Sequence, residues 1–238
     1  MPGAVLLNLK STKHNWAFKG EPEPELTGRQ LQHDRGKTLG GSSSINGMVF
    51  IRGNSLDYEG WRQMGCDGWG YADVLPYFKK MESYSGGGDD FRGDSGPLRV
   101  HRSVPKDPLS IAFINAGKEA GYKETDDISG YCQEGFGIFD RTVFKGERWS
   151  TTRGYLDPVR DRKNLTIITK ALVCKLILEN NKATGVCFKD NKNKIFNIKS
   201  KKEVILCAGA VGSPHILMLS GIGPVSYTHL TLPTKRIV

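Results

Sequence analysis

From Leu165 onward the apolar residues recur with a period of two. Leu165 to Thr169, Val173 to Leu178, Ala183 to Lys189 and Lys194 to Lys199 read as a strand followed by a β-meander. Asn180-Asn181 and Asp190 to Asn193 are its turns. Glu203-Val204-Ile205-Leu206-Cys207-Ala208 is then an apolar run without alternation, the pattern of a parallel strand buried on both faces. It ends at Gly209, and Ser213-Pro214 predicts a helix with proline near its first turn. Upstream the spacing is helical. Pro108 to Ala120 puts Ile111, Phe113, Ile114 and Gly117 on or near one face, with Gly121 as the stop. Asp73 is placed to cap Val74 to Met81. Asp57 to Trp61 and Gly68 to Tyr71 frame short helices whose aromatic rings are expected in the core. Gly96 to Val100 and Glu134 to Phe139 read as strands, Ser150 to Leu156 as a helix, and Ser85 to Asp90 as a flexible loop.

Composition narrows the choices. The 238 residues are 38% hydrophobic and 25% charged, enough for a substantial core. The net charge of +9 raises the question of nucleic acid, but the lysines crowd between Lys189 and Lys202 with asparagines among them. That is a solvated hairpin, so no nucleic-acid partner is expected. The five cysteines form no C-x-x-C pair and predict no metal site; Cys174, Cys187 and Cys207 lie in apolar runs and read as small core residues. No apolar run is long enough to span a bilayer. Together the patterns predict an α/β cofactor domain, discontinuous in sequence and interrupted by a second, α+β domain.

The candidate chemistry lies in Arg35-Gly36-Lys37-Thr38-Leu39-Gly40-Gly41-Ser42-Ser43-Ser44-Ile45-Asn46-Gly47-Met48. Gly40-Gly41 allows positive φ and close backbone approach to a ligand. The serines suit the N-cap of a helix starting near Ser43, whose free N–H groups would receive an anion. Gly36-Lys37-Thr38 has the ending of a nucleotide-triphosphate loop, but Leu31 stands where that loop requires glycine. A second anion or cofactor site is expected where the apolar run meets the glycine turn at Ala208-Gly209.

The segment Arg35 to Gly53 closely resembles the first signature of the GMC (glucose–methanol–choline) flavin oxidoreductases. Gly209-Ala210-Val211-Gly212-Ser213-Pro214-His215-Ile216-Leu217-Met218-Leu219-Ser220-Gly221-Ile222-Gly223-Pro224 resembles the second. The resemblance runs from near Met1 to about Val225. It implies that Arg35, Gly36, Gly40, Gly41, Ser42, Asn46, Gly47 and Met48 line FAD near its pyrophosphate and flavin. It also implies that the Val173 backbone touches the adenine side, and that Ala208 and Gly209 close over the dinucleotide. Some members link the flavin covalently through a histidine where this chain has Ile45, so non-covalent FAD is implied. None of His14, His33, His101, His215 and His229 matches the family's catalytic histidine, so no catalytic residue is assigned.

Within the family the choline dehydrogenase branch is the most similar. Trp69 to Phe78, Gln133 to Gly137 and Lys145 to Ser150 carry that likeness. It implies oxidation of choline to betaine aldehyde, the route to glycine betaine, with electrons passing to a membrane acceptor. The setting implied is the matrix side of the mitochondrial inner membrane in a eukaryote, or the cytoplasmic membrane in a bacterium. The expected domains are an FAD-domain segment with a lid at 1–80, a substrate-domain segment at 81–160 and an FAD-domain return at 161–225. No G-x-G-x-x-G unit follows a strand near Met1, so a shortened N-terminus is expected, and an inactive product with it. Residues 226–238 do not match the family and are expected to be artefactual.

Overall fold

In the computed structural model, Gly3 and the residues from Val5 to Pro224 are described, so residues 226–238, expected to be artefactual, lie outside the described residues. The chain divides into two compact units, residues 1–162 and 163–238.

In the second unit the period-two segments fold as a meander. Strands β9 (Leu172–Glu179), β10 (Lys182–Lys189) and β11 (Ile195–Lys199) form an antiparallel sheet with β10 in the centre. Asn180 and Asn181 turn the first hairpin with φ of 49° and 61°, the left-handed conformation that asparagine tolerates. Helix α5 (Gly209–Leu219) packs on β9, where the Ser220 hydroxyl accepts from the Leu176 N–H at 2.8 Å. Leu176, Cys187, Phe188 and Ile216 are the buried apolar residues here.

Several expectations fail in this unit, and the causes are tertiary. Leu165 to Thr169 is not a strand, having no ladder partner among the described residues. The same holds for Glu203 to Ala208, expected as a buried strand: it pairs with no strand among the described residues, and Ile205 is 76% exposed. Cys207 is exposed too, while Cys174 is half-buried and only Cys187 sits in the core. Helix α5 begins at Gly209 rather than Ser213, because Gly209 turns the chain at φ 83° and the Ser213 hydroxyl receives the Ala208 N–H. Pro214 therefore lies inside the helix.

The first unit opens with α1 (Val5–Leu9) and the hairpin β1 (Phe18–Glu23) with β2 (Arg29–His33). Strand β3 (Val49–Phe50) pairs with β6 (Asp140–Arg141). Helix α2 (Ser55–Gln63) has a capping box in which Asn54 accepts from Leu56 and Asp57 accepts from the Asn54 N–H. Helix α3 (Tyr71–Met81) starts before the expected position. Asp73 stabilises its first turn from within, accepting the Gly70 N–H at 3.1 Å. Strands β4 (Glu82–Tyr84) and β5 (Leu98–Val100) are parallel, and the buried cluster Phe50, Tyr84 and Val100 forms the apolar core with Met81 and Leu98. Helix α4 (Pro108–Glu119) buries Ile114 and Gly117 and stops at Gly121 with φ 87°, as the spacing predicts; Asp107 caps it, and Ile111 and Phe113 stay exposed. A hairpin of β7 (Val143–Phe144) and β8 (Glu147–Arg148) follows.

Three further readings are corrected. Glu134 to Phe139 makes a single bridge, Phe136 to Glu124. Gly135 and Gly137 there serve close approach to the Lys123 and Thr125 backbone, not a ladder. Ser150 to Leu156 winds as a π-helical turn, Thr152–Leu156, followed by a 3-10 turn, Asp157–Val159; Pro158 lacks the N–H that an α-helix would need. The rings near α2 and α3 are not core. Trp69 and Tyr77 are 54% and 71% exposed, because the aromatics pack on one another along the surface, Tyr58 against Trp61, Tyr71 and Phe78.

Candidate cofactor site

The Gly-Gly-Ser loop is a self-bonded turn. Gly40 and Gly41 take φ of 84° and 53°, as expected. The helix they introduce is a four-residue 3-10 turn, Gly41–Ser44, and its cap residue is Gly40. Ser43 does not cap: its hydroxyl donates back to the Gly40 carbonyl at 2.6 Å. The N–H groups of Gly41, Ser43, Ile45 and Asn46 are used inside the turn. The expected row of free donors at a helix start is therefore reduced.

Close packing explains two of the glycines. A Cβ on Gly36 would lie 2.1 Å from the Gly41 carbonyl oxygen. The Gly36 N–H donates to the Ser42 hydroxyl at 3.1 Å. A Cβ on Gly40 would lie 2.5 Å from the Ser44 hydroxyl and 2.6 Å from that of Thr152. Gly47 has open space around it. Met48 is 4% exposed at φ 64°; its N–H donates to Asn46 Oδ1 at 3.1 Å, and its carbonyl accepts from Thr142. Ile45 is 3% exposed, so an apolar side chain fills the position where a flavin-linking histidine would stand.

Upstream, Asn15 holds the loop's entry. Its amide donates to the Leu9 carbonyl and to Asp34, and its oxygen accepts from Ala17 and Arg35. This use of Asn15 accounts for every polar atom of a 2% exposed side chain. The Asn15 bond is also the largest cause of the lowered Asp34 pKa, with Gln32 second.

The segment Arg148 to Thr152 clamps the loop from the side, a feature that the sequence does not signal. Arg148 Nη1 donates to the Ser43 carbonyl at 3.1 Å and to Asn46 Oδ1 at 2.7 Å. The Thr151 N–H donates to the Ser43 hydroxyl at 3.0 Å, and its own hydroxyl reaches the Gly40 carbonyl at 3.3 Å. Arg148 Nη2 and Thr152 Oγ1 are buried and have no partner.

An ion-pair core lies beyond β3, also unannounced in sequence. Arg92 is fully buried and contacts Glu82 at 3.0 Å, Asp127 at 2.6 Å and Asp140 at 3.0 Å, stacked 3.7 Å over the Tyr84 ring. Arg52 also donates to Glu82 and to the Phe91 carbonyl. Burial is the main reason the Asp140 pKa is raised and the Arg52 pKa lowered. Among the described residues no cluster suits a metal ion.

The eight loop residues named from sequence, Arg35, Gly36, Gly40, Gly41, Ser42, Asn46, Gly47 and Met48, thus share one turn of the first unit. Val173, Ala208 and Gly209 belong to the second. Val173 is half-buried in β9, paired with Phe188 beside a bulge, and Ala208 and Gly209 start α5. The first-unit loop fits a polar ligand: the backbone is open at Gly41 and Gly47, and two buried polar atoms without partners lie beside the turn.

The family model described as GMC oxidoreductase matches residues 17–231. Two relatives, both described as oxygen-dependent choline dehydrogenase, come from Sinorhizobium fredii and Rhizobium meliloti. They are 47% and 46% identical over 227 residues, 95% of this chain and 41% of each relative. The chain thus spans about two fifths of their length. Pyridoxine 4-oxidase from Mesorbium loti superimposes with a TM-score of 0.87 at 32% identity, over 94% of this chain and 44% of that one. An FAD-dependent oxidoreductase from Chaetomium thermophilum does so with a TM-score of 0.83 at 30% identity, over 89% of this chain and 39% of that one.

Proposed function

The chain belongs to the GMC oxidoreductase family, and from that membership we propose that it carries the cofactor loop of an FAD-dependent dehydrogenase that oxidises choline to betaine aldehyde. The observation that carries this reading is the Gly36 to Met48 turn, closed on itself and flanked by unpartnered buried polar atoms. Bound FAD supplies the chemistry by accepting hydride from the alcohol carbon. The chain's own part is to hold and orient it. Gly36 and Gly40 let the turn close on itself, and Gly41 and Gly47 permit close backbone approach. Arg35, Ser42, Asn46 and Met48 shape the turn, with Asn46 fixed from both sides by Met48 and Arg148. In this reading the Val173 backbone touches the adenine side, and Ala208 and Gly209 close over the dinucleotide. Buried Ile45 has no nucleophile, so the flavin is held without a covalent bond. In this reading 1–80 and 161–225 contribute to the FAD domain and 81–160 to the substrate domain.

Choline is supported by identity to relatives that bear its name, and those relatives are bacterial. This favours the bacterial setting over the mitochondrial one. Their name ties them to oxygen, whereas the sequence likeness implied a membrane acceptor. Among the described residues no helix is long and apolar enough to cross a membrane. An assay on a protein of the relatives' full length separates the choices: choline with an artificial dye, choline with oxygen uptake, and the same with glucose. Choline preferred over glucose is the expected result, and a sugar preference overturns the substrate. Residues 1–238 alone are expected to give no turnover. A second reading, an alcohol other than choline, is favoured by the likeness to pyridoxine 4-oxidase; pyridoxine belongs in the same panel.

A further inference from the structure

Arg52 and Arg92 are buried and Arg148 is half-buried, and they differ in how their charge is met. Arg92 faces Glu82, Asp127 and Asp140, and Arg52 shares Glu82. Arg148 has no carboxylate within ion-pair distance among the described residues. Its nearest partners are neutral oxygens, the Ser43 carbonyl and Asn46 Oδ1, and both bond Nη1. Nη2 is buried with no partner. Desolvation alone acts on this guanidinium and lowers its pKa, with no opposing charge to offset it. A half-buried cation with one idle amino group is unfavourable unless an anion completes it. Thr152 adds a second idle donor on the same segment, its hydroxyl unpartnered beside Gly40. Two unsatisfied donors and a missing counter-charge converge on one turn.

We propose that Arg148 is a ligand-binding residue, its Nη2 and the Thr152 hydroxyl receiving an anionic group of the phosphate class, while Nη1 holds the Ser43–Asn46 turn that borders it. This rests on the cofactor reading above, in which the anion belongs to the dinucleotide. The two ends of the guanidinium then do different things. Nη1 positions the protein, Nη2 meets the ligand, and lysine can replace the charge but not the fork.

The test is equilibrium binding of FAD and, separately, of inorganic pyrophosphate, to the purified chain by fluorescence titration and thermal shift. The variants are Arg148→Met, Arg148→Lys and Thr152→Val, each checked for native circular dichroism. Arg148→Met is expected to weaken FAD binding about 10- to 100-fold, the worth of one charge-assisted hydrogen bond. Arg148→Lys should recover part of it, and Thr152→Val should lose less than Arg148→Met. Added salt should reduce the difference between wild type and Arg148→Met. Pyrophosphate should raise the melting temperature of wild type and not of Arg148→Met. FAD bound within twofold by wild type and Arg148→Met overturns the assignment and leaves the cofactor reading standing. Pyrophosphate bound through Arg148 without FAD binding supports the assignment and overturns the cofactor reading. Neither ligand bound by wild type overturns both. Should Arg148→Met not fold, Arg148→Lys and Thr152→Val decide: unchanged affinity in both overturns the proposal.

Discussion

Removing Arg92 tests the ion-pair core directly. Arg92→Met keeps an unbranched apolar stem, removes the guanidinium stacked over Tyr84 and deletes the charge that Glu82, Asp127 and Asp140 share. The three carboxylates do not suffer equally. Glu82 keeps Arg52 and the Gly93 N–H. The Asp127 side chain is 18% exposed, so water can replace part of what it loses. Asp140, at 3% exposure, is stranded, because Arg92 is its ion-pair partner. Stranding one buried charge by deleting its partner costs about 3–5 kcal/mol. Summing a separate charged bond for each carboxylate would overstate it. For a unit of this size that cost corresponds to roughly a 6–20 °C fall in melting temperature. Urea and thermal unfolding followed by circular dichroism measure it.

A second substitution sharpens the test. Asp140→Asn should be less favourable in the wild-type background, where it weakens a pair, than in Arg92→Met, where it removes a stranded charge. The coupling should reach about 1–3 kcal/mol. A loss below about 1 kcal/mol for Arg92→Met, or additive behaviour of the two variants, would refute the argument that these groups are dry and mutually dependent.

Three other outcomes follow from the geometry. Gly36→Ala should destabilise by about 1–3 kcal/mol and weaken FAD binding, since its Cβ meets only backbone, at 2.1, 2.3 and 2.7 Å; Gly41→Ala, with open space at φ 53°, should cost less, and the reverse order would contradict the packing. Burial raises the Asp140 pKa above 3.8, so its protonated form is favoured by folding and its contribution is fully present below that value and declines as pH rises through the raised value. The stability of wild type minus Asp140→Asn should therefore increase on acidification from neutral pH, as paired melts would reveal. Flavin should leave with the supernatant when loaded protein is precipitated with acid, and colour retained in the pellet would count against the apolar Ile45 position.

What was legible in the sequence is what depends on neighbours along the chain. The meander needs only alternation and two asparagine turns, and α4 needs only its apolar spacing and Gly121. Both form where expected. Glu203 to Ala208 was misread because an apolar run specifies a strand only if partners flank it, and partners are a tertiary fact. The core of Arg52, Glu82, Arg92, Asp127 and Asp140 follows no period, since its members come from separate elements and loops. The Gly-Gly-Ser turn was recognisable by composition. Its lateral clamp was not, because Arg148 and Asn46 are 102 residues apart.

The ion core and the turn are nonetheless one construction. The chain leaves the turn at Met48, a non-glycine residue at positive φ, which is unfavourable in isolation and persists only where surroundings over-determine it. Here they do. Two residues on, Phe50 is buried with the Arg92 guanidinium 5.7 Å from its ring centre; two further on, Arg52 enters the ion core itself. Asn15 holds the other end at Arg35, and Arg148 and Thr151 hold the middle. The backbone is thus fixed at entry, flank and exit, accepted by Asn15 at Arg35 and bonded by Arg148 and Thr151 in the middle. A turn tethered at three places has little freedom left to lose when a ligand arrives, which is the condition for tight binding by backbone atoms. The buried charges contribute to that rigidity even though none of them lies in the turn.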